Sequence, residues 1–245
     1  MSSIIEDAFE TYYTNSKLVA LFSVPFIASL AIPLLAPLPT YIALGAVFLR
    51  SATAYQNLDL TAILSIVLSG VISLIFLAFS MVLISLIVKS KRTLESNKRS
   101  VLLQIESYTS RLFMVFLAYA ILIYAASIFT YSFGQSSAFF VDLVSMVLFV
   151  PLFYLPGNVV IANKRTIRAL KDSLKMAFAY PSYLLLWAVI AVVALSVVDF
   201  VSITFTGTLM SRYLVLVLSS FIVLPYLAIF QAEAYMKTNP IIRSI

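Results

Sequence analysis

Six apolar runs, each longer than 18 residues, recur along this chain, and the short stretches between them hold nearly all of its charge. Few folds tolerate that pattern. A helix of about 20 apolar residues matches the hydrocarbon thickness of a bilayer, and inside a bilayer the backbone must satisfy its own hydrogen bonds. With 62% hydrophobic and 11% charged residues, the expected class is all-α: a polytopic membrane protein with six transmembrane helices. The spans are expected near Leu18–Ala36, Leu60–Val88, Leu112–Phe133, Phe139–Ala162, Tyr183–Phe205 and Tyr213–Tyr235. The second is long enough to tilt or to project past the hydrocarbon. Together the spans consume most of the 245 residues, so a single integral membrane domain over 1–245 is expected.

The segment Leu38–Leu49 is apolar but too short to cross. It reads as a re-entrant or interfacial piece, with a seventh span as the alternative. Charge argues for the even count. Of 16 basic residues, all but Arg50 and Arg212 fall in the segments before span one, between spans two and three, between spans four and five, and after span six. The positive-inside rule places those segments, and both termini, in the cytoplasm of a cell-membrane protein. The first 17 residues carry Glu6, Asp7 and Glu10 where a secretory signal needs positive charge, so the segment is expected to be retained. The net charge of +6 is then a topology signal, suited to anionic lipid headgroups rather than nucleic acid.

Each cytoplasmic segment before a span pair has helical amphipathic spacing. In the first, Ile4, Ile5, Ala8, Phe9, Tyr12 and Tyr13 oppose Glu6, Asp7 and Glu10. The second aligns Leu102, Ile105, Thr109 and Leu112, and the third Ile167, Leu170, Leu174 and Phe178. Such helices are expected to lie in the interface plane. The chain can therefore be divided into three units of interfacial helix, span and return span, over 1–90, 91–162 and 163–245. Asn97-Lys98-Arg99-Ser100 and Asn163-Lys164-Arg165-Thr166 open two of them, and Val150-Pro151 matches Leu224-Pro225. Span two has no such proline, and chance similarity between apolar segments is the alternative to a repeat.

The stretch Phe153-Tyr154-Leu155-Pro156, Val159-Val160 and Ile167 through Met176 resembles a broad family of membrane regions, some of them fused to bacterial glycerophosphodiester phosphodiesterases. Glu6-Asp7-Ala8-Phe9 with Asn15-Ser16-Lys17-Leu18 resembles that family's opening helix. The resemblance implies six helices, cytoplasmic termini and a membrane role. Its motif content is confined to about 25 residues around 153–178. The chain has no room for the phosphodiesterase domain, so no activity is carried across.

Candidate polar residues inside or beside the spans are few. Asn158 follows Pro156-Gly157, where the missing proline amide leaves carbonyls near residues 152–153 short of a donor. It reads as a kink with an interhelical hydrogen bond, or as a broken-helix site of the kind transporters use. Glu233, near Gln231, is four residues from Lys237, the spacing of an intrahelical ion pair; a functional intramembrane carboxylate is the alternative. Asp199 and Asp142 lie toward the external side with Arg50 and Arg212 as expected partners. Lys164, Arg165, Arg168, Lys171 and Lys175 form a basic helix edge expected to contact lipid headgroups or a partner.

The chain has no cysteine and no histidine. Disulfides, thiolate or imidazole metal sites and histidine-based proton transfer are excluded. No intramembrane protease or phosphatase signature and no phosphate loop is present in the sequence. No catalytic residue, metal or cofactor is therefore expected. The expected role is a non-enzymatic scaffold, assembly factor or lipid-associated subunit of a membrane complex, with other membrane subunits as partners. The alternative is the permease subunit of an ATP-driven exporter.

Overall fold

The computed structural model describes residues 3–35, 40–43, 46–49, 60–92, 98–130 and 137–239. Eight α-helices are found among them: α1 (Ile4–Thr14), α2 (Ser16–Leu35), α3 (Leu60–Arg92), α4 (Lys98–Thr130), α5 (Ser137–Phe149), α6 (Thr166–Ala179), α7 (Pro181–Leu218) and α8 (Leu224–Thr238). Six segments are long and apolar enough to span: Ser16–Pro33, Leu64–Ser90, Gln104–Thr130, Phe139–Ile161, Pro181–Phe205 and Met210–Thr238. The chain is an integral, multi-pass membrane protein. Five spans fall within four residues of their sequence expectation at each end, and the third starts eight residues earlier than expected, at Gln104.

Between α2 and α3, strands β1 (Thr40–Ala43) and β2 (Ala46–Leu49) pair antiparallel, with Thr40 opposite Leu49 and Ala43 opposite Ala46. A lone two-stranded hairpin leaves unpaired edges that hydrocarbon cannot satisfy, so of the readings for Leu38–Leu49 it fits the interfacial piece and not a seventh span.

Spans five and six pack against each other, the chain doubling back within the stretch that α7 covers. The Trp187 indole donates to the Leu227 carbonyl at 3.1 Å, and Ala191 clusters with Val223 and Leu227. These pairings are symmetric about residue 207, so the Pro181–Phe205 and Met210–Thr238 segments run antiparallel. Trp187 also stacks on Phe149 at 5.0 Å and meets Phe153 edge-on. Trp187 is thus a joint between spans four, five and six.

Proline positions show how the bundle is stitched. Pro33 has no N–H to give the Ser29 carbonyl one turn earlier, and the Ser73 hydroxyl of α3 donates to that carbonyl instead. Pro225 likewise removes the amide that an α-helix would aim at Phe221. Here the Tyr12 hydroxyl of α1 donates to the Phe221 carbonyl at 3.0 Å. Just before Pro225 the helix widens into a π segment, Ser219–Val223. Span four breaks similarly. A 3-10 turn at Val150–Leu152 and a π segment at Gly157–Ile161 bracket Pro156, and the Ser173 hydroxyl of α6 donates to the Pro151 carbonyl. The carbonyls freed by Pro33 and Pro225 are thus each met by a hydroxyl from a neighbouring helix, as hydrocarbon surroundings require.

Two of the three helices before span pairs behave differently from expectation. The second is no separate element: α4 runs unbroken from Lys98 to Thr130. Nor does the first lie flat beside the bundle. Ser3 and Glu6 close a capping box at its start, and the helix then runs antiparallel along α8. Asp7 meets Lys237 at 2.8 Å, and the Thr11 hydroxyl donates to Glu233 at 2.9 Å. The N-terminal helix and the end of α8 thus share one end of the bundle, as an even span count demands. The third helix, α6, is a discrete surface helix.

Candidate functional site

The basic end of the bundle gathers most of the polar side chains singled out in the sequence. Its organising element is the turn from span four into α6. The π segment ends at Ala162, whose amide reaches the Gly157 carbonyl at 3.2 Å, and the Lys164 amide returns to the Asn158 carbonyl at 3.0 Å. Asn163 between them takes a left-handed φ of 50°, which asparagine tolerates better than branched residues. This turn fixes where α6 starts.

Asn158 is fully buried. Its Nδ2 donates to the Tyr154 carbonyl one turn back, and its Oδ1 accepts from Lys164 Nζ at 2.8 Å. Lys164 also pairs with Asp172 Oδ2 at 2.8 Å. Lys164 was expected to face headgroups. The structure turns it inward, because a buried amide oxygen and a carboxylate together outcompete solvent for its ammonium. Asn158 thereby ties span four to α6.

Three faces divide α6. Ala169, Ser173 and Ala177 are buried against the bundle. Ile167 and Phe178, 72% and 73% exposed, make an unpacked apolar edge with Leu174. Arg168, Lys171 and Lys175 form an adjacent exposed basic edge. The stripe read from the sequence, Ile167, Leu170, Leu174 and Phe178, is therefore not the protein-facing one. Small residues take that role because they let the helix approach closely.

A cavity of about 680 Å³ opens beside the first turns of α6, lined by Arg111, Arg165, Thr166, Ile167, Arg168, Lys171 and Asp172. Arg111 comes from α4. Its Nη1 donates to Asn163 Oδ1 at 3.1 Å and to the Lys164 carbonyl at 3.2 Å, and its guanidinium lies 5.8 Å from the Tyr108 ring centre. The sequence reading counted Arg111 only as a topology charge. Its place beside α6 depends on a contact 52 residues away, which no local pattern reveals.

Glu233 is fully buried between α8 and α1. Lys237 reaches Asp7, so both members of the expected i,i+4 pair are tied to α1. Tyr12 packs edge-on against Tyr226, and burial pushes its phenol above the ordinary value, which keeps it a proton donor. Asp142 is exposed and Asp199 half-buried on the opposite side of the bundle. Among the described residues neither makes an ion pair with Arg212; Arg50 lies outside them. The structure therefore brings Asn158, Lys164, Arg165, Arg168 and Lys171 together and leaves Glu233, Asp142 and Asp199 elsewhere.

No protein-family model, no curated protein and no solved structure matches this chain.

Proposed function

We propose that this protein is a non-enzymatic membrane subunit, a scaffold or lipid-associated component of a larger assembly, set in the cell membrane with its basic end toward the cytoplasm. The observation that carries this reading is the three-faced α6. Its small-residue face fixes it to the bundle, its apolar edge suits the acyl boundary, and its basic edge suits anionic headgroups. The resemblance around 153–178 to membrane regions of other proteins points the same way.

The absence of cysteine gives a clean test. Single Phe178→Cys and Lys175→Cys variants are reconstituted and treated with a water-soluble maleimide. Lys175→Cys should label, and only from the cytoplasmic face of oriented vesicles, while Phe178→Cys should stay shielded by lipid. Equal labelling at both positions would sink the interfacial placement. Labelling from outside would reverse the orientation.

A permease reading draws on a different feature. Ser219 and Ser220 are buried within the π segment of span six, their hydroxyls without hydrogen-bond partners among the described residues, and irregular helix with polar side chains is how transporters line a path. Purification in mild detergent separates the two. A stoichiometric ATPase would favour the permease, and a different stoichiometric membrane partner the scaffold.

A further inference from the structure

We propose that the cavity between α4 and the start of α6 binds a phosphate group, supplied by an anionic lipid headgroup or by the free ion. The proposal rests on α6 lying at the membrane surface and adds what is recognised there. Four cations line the cavity against one carboxylate, and that carboxylate, Asp172, is already paired with Lys164. Arg165, Arg168 and Lys171 make no ion pair among the described residues. Like charges gathered in a concave surface repel one another until an anion enters, and the cavity walls strengthen the attraction that results.

Arginine geometry selects the anion. Arg111 is held by two hydrogen bonds that use only Nη1, leaving Nε and Nη2 as a pre-placed fork. Arg165 and Arg168 approach from α6, on the other wall. Guanidinium forks arriving from two directions match the several oxygens of a tetrahedral phosphate better than a single planar carboxylate. Thr166, Ile167 and Arg168 are the first residues of α6, whose start has no side-chain cap, so their amides add donors on the same side. The volume is that of a small-ligand pocket. Ile167, the exposed apolar residue on the rim, gives an acyl chain a place to leave the headgroup, which favours lipid as the source.

The test uses the whole protein purified in dodecyl maltoside, a detergent without phosphate. Binding of dioleoylphosphatidylglycerol, of dioleoylglycerol and of inorganic phosphate is measured by titration and native mass spectrometry. Phosphatidylglycerol should bind and dioleoylglycerol should not. The double variant Arg165→Gln/Arg168→Gln should weaken binding at least tenfold with its unfolding temperature unchanged. Arg212→Gln, an exposed cation at the opposite end of span six and outside the cavity lining, should change it less than twofold. Competition by millimolar inorganic phosphate would support the site and assign it to the ion. Support without such competition assigns it to the headgroup. Equal binding of dioleoylglycerol, no loss in the double variant, or equal loss in Arg212→Gln would each overturn the proposal. The maleimide assay on Phe178→Cys tells the two failures apart: if Phe178→Cys stays protected while lipid binding fails, the cavity proposal alone falls, and if that protection is lost, the surface placement of α6 falls with it.

Discussion

Span five is the more apolar of the two final spans, yet span six is the one inside the protein. From Pro181 to Phe205 only Ala191 and Ser202 are buried, while α8 buries eleven of its fifteen residues. In water this ranking would be inverted. In lipid, apolar surface gains little by leaving the acyl chains, so packing is decided by fit and by polar groups. The buried helix carries Ala228, Ala232, Ala234, Gln231 and Glu233, and the exposed one shows Val189, Val192, Val193 and Phe200 outward. Small and polar residues join Phe230, Tyr235 and Met236 in the interior here, while the more apolar span stays on the surface.

The largest effect should come from putting a charge on the exposed helix. Val193→Lys places an ammonium near the middle of span five, at an expected cost of about 2.5–3.5 kcal/mol on insertion. Membrane-inserted yield should drop sharply. Unchanged yield would mean that this face is covered by something other than lipid. Next comes crowding of the buried helix. A Cβ on Gly157 would overlap the Tyr235 ring, whereas Gly70 in α3 has nothing within 4 Å. Gly157→Ala should cost about 1–3 kcal/mol in detergent unfolding. Gly70→Ala should be neutral or stabilising by up to about 1 kcal/mol, the helix-propensity difference. Matching values for the two would remove the contrast between packed and open helix surfaces.

The stitching of α8 to α1 offers a finer probe. Tyr12→Phe should orphan the Phe221 carbonyl and destabilise by about 1–3 kcal/mol. In a Pro225→Ala background the helix regains its own amide, and the same change should cost much less. A loss that persists in full would assign it to Tyr12 packing instead. The smallest effect is expected at the exposed helix again. Val192→Leu, facing out, should shift stability by under about 0.5 kcal/mol.

The spans were legible because runs of twenty apolar residues admit one explanation. Their shared end was legible because the lysines and arginines are so unevenly placed. What stayed hidden was decided by contacts distant in sequence. Glu106 and Arg111 look like breaks in an apolar run, but they suit helix well and α4 passes through them. Lys164 and Lys175 are indistinguishable by composition, yet Asn158 and Asp172 draw one inward and leave the other exposed. The stripe on α6 was visible as an apolar edge, while the small-residue face of Ala169, Ser173 and Ala177 that docks the helix was not, since periodicity reports an apolar edge without saying what covers the rest. Within the cationic cavity, Arg165, Arg168 and Lys171 were visible as a basic run, while Arg111 required the fold.

The clasp between α1 and α8 has a consequence during synthesis. Thr11 leaves the ribosome 222 residues ahead of Glu233. At ordinary translation rates of about 5–20 residues per second, α1 waits roughly 10–45 seconds for the helix it is built to hold. Through that interval its tyrosines and its capped first turn have no final partner, and the bilayer surface is the natural place for such a helix to rest. The last span to enter the membrane is the one that summons the first helix into place.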